Sequence, residues 1–385
     1  MTIVNMGLAI PTLSVQESYR RSMRLLLLVF MLGLINLCTT HAALSNSVKS
    51  LPSTDTTQLA FGSCIDESKQ NHPIWKALNS KKPEVMVFLG DNLYFKHSDL
   101  NQNTTLDTLK IYYDRLAETP GLQLLRESST EILAIWDDHD YGPNDSDSTF
   151  PLKKLTQKQF LNFWYGTPLD AEPRPGIYRS VFYKVGDKTM LVILLDTRFF
   201  RTPWKRDLRV DEPSYGAILP TTESDVTMLG DEQWTWLEDQ LQQQADLHIL
   251  VSSIQVLPVD HDSERWDGMP TERDRLLQLV ANASAYTIIL SGDRHLAEAS
   301  KLPRSEYTDL KHDLYEFTSS PMTSGAGHGR KEVNRYRALK NNVRVNNFGL
   351  LTIDWSKDVI KAEFINRRGN SVQQISISKE LNTKN

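Results

Sequence analysis

Three carboxylates and an imidazole close an otherwise apolar run: Glu131-Ile132-Leu133-Ala134-Ile135-Trp136 leads directly into Asp137-Asp138-His139-Asp140. Core packing does not ask for such a cluster. Like charges this close repel, and an ionised carboxylate resists burial unless something positive neutralises it. A multivalent metal ion is the usual counter-charge. A chain carrying this sequence is therefore constrained to a fold that brings strand ends together around a cation.

The pattern recurs. Val85 to Leu89 runs into Gly90-Asp91-Asn92-Leu93-Tyr94, and Thr287 to Leu290 into Ser291-Gly292-Asp293-Arg294-His295. Leu59-Ala60-Phe61 leads to Gly62-Ser63-Cys64, and Met190 to Leu195 to Asp196-Thr197-Arg198. In open sheets, sites lie in the crevice beyond the carboxyl ends of strands, so five such runs point to one shared site.

Between these runs lie helical patterns over residues 72–80, 106–119, 152–165, 231–244 and 271–281. Pro120-Gly121 stops the second, and Thr271 with Asp274 makes a capping pair for the last. Residues 314–318, 348–353, 359–364 and 373–377 read as further strands of the same domain. The alternation argues an α/β sandwich. Two loop-like segments flank the site: residues 199–215, rich in Arg, Lys and aromatics, and residues 319–330, with Gly325, Gly327 and Gly329.

The N-terminus differs. Arg20, Arg21 and Arg24 precede an apolar core, Leu25 to Leu34, and small residues follow at Thr40, Ala42 and Ala43. That is the form of a secretory signal peptide, with Met23 as its start and cleavage near Ala42 or Ala43. An uncleaved membrane anchor is the alternative, although the apolar core is short for a span. The organisation read from this is an N-terminal extension and signal peptide over 1–43, a linker over 44–58 and a single catalytic domain over 59–380. The mature form then has no stable membrane span and is periplasmic or extracellular. Of the two cysteines, Cys38 lies in the signal and Cys64 stands alone, either as a small buried hydrophobe or as a thiolate ligand. Net charge is −5 with pI near 6.0, which excludes nucleic-acid binding driven by a basic surface.

With these residues in view, the chain resembles the PhoD-like alkaline phosphatase D family of metallophosphoesterases. The resemblance rests on Phe61-Gly62-Ser63-Cys64, Gly90-Asp91-Asn92-Leu93-Tyr94, Trp136 to Asp140, Leu195 to Arg198, Ser291 to His295 and Phe317 to Pro321, in that order. It implies a four-layer α/β/β/α sandwich with two mixed sheets. It also implies export, and hydrolysis of phosphate mono- or diesters with iron and calcium. Asp140 stands where several relatives carry Glu.

On that reading Asp91 bridges two metals. Cys64, Asp91, Tyr94 and His295 hold Fe3+, since thiolate and phenolate together favour a ferric ion. Asp91, Asp138, Asp293 and Asn144 hold Ca2+, or Mg2+ or Mn2+, through oxygen. Asp137 is a ligand or orients one. His139 protonates the leaving group or contacts phosphate, or else pairs structurally with Asp140. Arg198 forks onto phosphate oxygens, or else forms a buried ion pair with Asp196. Ser63, Arg294 and His328 are weaker candidates.

Two other readings remain. One is a phospholipase-D-like phosphodiesterase on lipid or cell-wall phosphodiesters, with Phe199, Phe200 and Trp204 receiving a bulky substrate. The other is a calcium-stabilised binding protein without turnover, against which Cys64, His139 and His295 argue. The expected partner is a phosphate-ester substrate. Oligomeric state is not legible.

Overall fold

The structure is a computed structural model that describes residues 48–207, 217–326 and 332–378. The signal segment with its cleavage position, Cys38 and His328 lie outside the described residues.

Two mixed sheets form the body. The first runs β1-β5-β6-β9-β10-β12-β11 and the second β15-β14-β13-β2-β3-β4. In the first, β6 (Lys188–Leu194), β9 (Leu247–Val251), β10 (Thr287–Ser291) and β12 (Leu314–Ser319) are mutually parallel, with β1 (Val48–Ser50), β5 (Arg179–Val185) and β11 (Ala297–Leu302) completing it. In the second, β2 (Thr56–Gly62), β3 (Val85–Leu89) and β4 (Glu131–Ile135) are parallel, and β13 (Asn347–Asp354), β14 (Val359–Asn366) and β15 (Ser371–Ser378) add antiparallel strands. The short β7 (Arg206–Asp207) and β8 (Ala217–Ile218) form a separate ribbon.

Strand parity explains why the runs are continuously apolar. Along β6, Met190, Val192 and Leu194 join the larger core, which also contains Phe61, Val87 and Phe348 of the second sheet. Leu191 and Ile193 point the other way, into a second core with Trp234, Leu237, Leu276 and Leu277. The same split divides Ile288 and Leu290 from Ile289 on β10. A strand buried on both faces has no polar side, so the period-two signal vanishes. Helices Gly230–Leu241 and Pro270–Ala281 thus cover the outer face of the first sheet. Helices Ile74–Lys81, Leu106–Ala117, Pro120–Glu127 and Lys153–Tyr165 pack with the larger core and the second sheet, giving the sandwich.

Local details differ from the sequence expectation. Pro120 ends one helix and begins another, because its fixed φ and missing N–H suit the first helical position. Pro270 does the same at the later helix, so Thr271 is already inside and its side chain does not cap. Within 44–58, Val48–Ser50 pairs with β5 as a parallel edge strand.

Candidate metal centre

The strand ends converge because backbone hydrogen bonds stitch their loops together. Cys64 N donates to Gly90 O at 3.3 Å, Ile65 N to Asp91 O at 2.7 Å, and Gly292 N to Ser253 O at 2.9 Å. The turns are sharp: Cys64, Asp91, Asp293 and His295 have φ of 59°, 51°, 63° and 51°. Non-glycine residues rarely adopt this left-handed region, and they cluster where function requires it. Gly90, at φ 104°, admits no side chain, since a Cβ would stand 2.6 Å from Asp137 Cβ.

The ligand atoms of Cys64, Asp91 and His295 lie within 4.8 Å of one another, as do those of Asp91, Asp138 and His139. Asp91 is common to both sets. Its Oδ2 accepts from Tyr94 Oη at 3.1 Å and lies 3.6 Å from Cys64 Sγ. His295 Nδ1 faces Gly325 O; donating there leaves Nε2 with its lone pair for a metal. Asp138 Oδ2 accepts from Asp145 N at 2.7 Å. Asp137 Oδ2, Asp138 Oδ1 and Asp293 Oδ2 are buried without a hydrogen-bond partner among the described residues. Asn144 sits in the turn that follows the short helix Asp138–Tyr141. A third acidic set, Asp138, Asp145 and Glu264, adjoins these.

Charge makes the same point. Burial, then Asp138 and Asp137, pushes the Asp91 carboxyl well above its ordinary range. Burial does the same to Asp293, against the pull of Arg294. Burial lifts Asp137 to about 7 against Arg198, and lifts Asp145 to about 7 with help from Glu264. The Cys64 thiol and Tyr94 phenol rise through burial and the Asp91 charge. Asp138 and Glu264 go down: burial opposes both, but His139 and Arg198 hold Asp138 ionised, and Arg198 and Arg201 hold Glu264. This many buried acids cannot ionise together without added positive charge. Orphaned carboxylate oxygens, a thiol and an imidazole with a free lone pair fit bound metal ions.

Two pairings weighed as alternatives do not form. Arg198 is fully buried and does not ion-pair with Asp196. Its Nε donates to Asp137 Oδ1 at 2.6 Å, and its Nη1 and Nη2 close on Glu264 at 2.7 Å each. The fork offered to phosphate is thus already occupied. Asp196 instead accepts from the Arg198, Phe199 and Ile177 N–H groups and from Trp136 Nε1. His139 does not pair with Asp140, whose oxygens take Asp137 N and Asn92 Nδ2 at 2.6 Å each. The His139 ring stacks on Tyr94, centroids 4.4 Å apart, and its N–H donates to Asp91 Oδ1 at 3.2 Å. Phe199 and Trp204 are core side chains, 5% and 7% exposed, and Phe200 is half-buried. Sequence reasoning missed Glu264, Asp145 and Ser320; Ser320 Oγ donates to Cys64 Sγ at 3.0 Å.

Residues 59–364 match the family model of PhoD-like phosphatases, and the chain belongs to that family. Among solved structures, one described as "Structure of PhoD" matches at 19% identity and TM-score 0.65, covering 86% of this chain and 70% of that one. It shares the fold. A predicted phosphoesterase from Streptococcus pneumoniae TIGR4 matches at 8% identity and TM-score 0.31, covering 84% of this chain and 98% of that one, too distant to carry an argument. No curated protein matches the sequence.

Proposed function

We propose that the chain is an exported, metal-dependent enzyme that hydrolyses phosphate mono- and/or diesters by two-metal activation of water. The observation that carries this reading is the sharing of Asp91 between two donor sets of different softness. Cys64, Tyr94 and His295 with Asp91 would hold Fe3+. Asp138, Asp293 and Asn144 with Asp91 would hold Ca2+, or Mg2+ or Mn2+, with Asp145 and Glu264 close by. When bound, such a pair clamps the phosphoryl group and acidifies a water.

The chain's own residues do the rest. Tyr94 stacks on the His139 ring and orients the imidazole, which is the residue assigned to protonate the departing alcohol. Arg198 acts on Asp137, gripping one oxygen while Ser253 Oγ donates to the same atom at 2.6 Å, so that Asp137 Oδ2 is aimed and unencumbered. Arg198 is therefore a positioning residue. The leader over 1–43 supports export.

Turnover of p-nitrophenyl phosphate and bis(p-nitrophenyl) phosphate, with and without chelator, tests the proposal. Chelator-sensitive hydrolysis of either ester, with iron and calcium found by elemental analysis, is the expected result. Metal retained without turnover would favour a binding protein, and a zinc-only preparation would overturn the ligand assignment at Cys64 and Tyr94.

A further inference from the structure

One buried hydroxyl touches two of the metal donors and has no part in the chemistry above. Ser320 follows the last residue of β12 and is fully buried. Its Oγ accepts from the His295 N–H at 3.0 Å and stands 3.0 Å from Cys64 Sγ. Cys64 follows β2 and His295 follows β10, strands of different sheets. The hydroxyl therefore spans the seam between the two sheets at the donor cluster.

The hydrogen count fixes the direction of each bond. The His295 N–H can only donate, so Ser320 Oγ accepts there and keeps its single proton for the sulfur. A metal-bound thiolate has no proton, so the sulfur is the acceptor. Ser63 Oγ lies 3.5 Å from the same sulfur, but its proton goes to Ser319 O at 3.2 Å. Asp91 Oδ2 and Asp293 O, each 3.6 Å from the sulfur, carry no proton to give when the carboxylate is ionised. Among the described residues, Ser320 is thus the side chain whose proton is left for the thiolate.

The backbone that carries this hydroxyl is held from both sheets. Ser320 N donates to Leu296 O at 3.1 Å, beside β11, and Ser320 O takes Asn347 Nδ2 of β13 at 2.8 Å. Asn347 Oδ1 takes Ser319 Oγ at 2.8 Å, and Asn347 N donates to Pro321 O at 2.9 Å. Met322 N donates to Ser63 O at 2.8 Å, and Thr323 N and Ser324 N close on Cys64 O at 3.2 and 3.1 Å. The thiol-bearing turn and the hydroxyl-bearing segment are one hydrogen-bonded unit.

We propose that Ser320 is a positioning residue of the metal centre: its hydroxyl sets the Cys64 sulfur against the His295 turn and limits how strongly the thiolate donates to its metal. A hydrogen bond to a ligating sulfur draws electron density from it, so charge transfer from sulfur to metal takes more energy. The inference rests on Cys64 being a metal ligand, as in the phosphoesterase reading, and not on which ester is cleaved.

Titrating the metal-stripped full chain with Co2+ tests it, because a thiolate on Co2+ gives a sulfur-to-metal charge-transfer band in the near ultraviolet. Cys64→Ser abolishes the band and so assigns it. Ser320→Ala weakens Co2+ binding roughly tenfold to hundredfold, the usual effect of losing a group that orients a ligand, and moves the band to longer wavelength. Ser320→Thr keeps the hydroxyl and returns the band to its wild-type position. Ser319→Ala disturbs the same segment without touching the sulfur and leaves the band in place, which a general loosening would not do. A band unmoved by Ser320→Ala, or moved equally by Ser319→Ala, overturns the inference, as does a wild-type protein with no sulfur band. If chelator-sensitive ester hydrolysis is found while the band stays put, the phosphoesterase stands and the role of Ser320 falls. If the band moves as expected in a protein without turnover, the role of Ser320 stands and the reaction falls.

Discussion

Glu264→Gln is the most revealing single change, because it keeps the side-chain volume and removes only the charge. Glu264 is 3% exposed, and its oxygens take Arg198 Nη1 and Nη2 at 2.7 Å, Arg201 Nη2 at 3.2 Å and the Trp204 indole N–H. Both arginines are fully buried. Neutralising Glu264 leaves two buried guanidinium groups short of a counter-charge, and breaking such a pair from one side costs about 3–5 kcal/mol. A domain of roughly 300 residues loses about 0.6 kcal/mol of stability per kelvin near its midpoint, so Tm falls by roughly 5–8 °C. Differential scanning calorimetry with excess chelator measures this without any contribution from bound cations. Arg198→Met combined with Glu264→Gln removes the uncompensated charge, so the double variant is more stable than the sum of the two single changes predicts, with a coupling of about 2 kcal/mol. A Tm loss under about 2 °C, or additive effects, refutes the view that Arg198 is locked into a buried charge network and not free for phosphate.

Asp91→Asn removes the shared carboxylate; elemental analysis is expected to show loss of at least one metal equivalent together with activity, whereas Cys64→Ser depletes iron and spares calcium. Gly90→Ala drives a Cβ to 2.6 Å from Asp137 Cβ and 2.7 Å from its N at φ 104°, so chemical denaturation should show a loss of about 2 kcal/mol or more. His248 is fully buried, with Nε2 against Gln243 O at 2.9 Å, and burial holds its pKa at about 4. Its unfolded value is near 6.5, so the stability from keeping it neutral is complete above that pH and is lost as pH falls through about 4, a total of about 3 kcal/mol. Urea melts of His248→Gln across that window should show a flatter acid limb; an unchanged limb would remove His248 as its cause.

The clustering of Cys64, Asp91, Asp138, His139 and His295 was legible because each lies just beyond a run of buried residues, and nothing in packing explains polar groups at those points. β3 begins at Val85 and ends at Leu89, as the apolar run does. Other elements left no such trace. β11 reads Ala297-Glu298-Ala299-Ser300-Lys301-Leu302, and Glu298 is buried because Gln255, Asn334 and Arg337 all hydrogen-bond to it; a strand held by partners distant in sequence shows no local periodicity. Glu264 was invisible for the same reason, sitting outside any strand run. His139 and Arg198 were found as residues, but the alternative pairings weighed for them, with Asp140 and Asp196, are not the ones the fold makes. Folding supplied Tyr94 and Glu264 instead.

Left-handed backbone at Cys64, Asp91, Asp293 and His295 has a further consequence. Each such residue costs roughly 1 kcal/mol, met by the rest of the sandwich during folding. The fold itself therefore places these four side chains, and any ion they take would meet ligand atoms already held in position. Glycine at any of the four would relax its turn and discard the donor in the same stroke, so comfort and chemistry cannot be had together there.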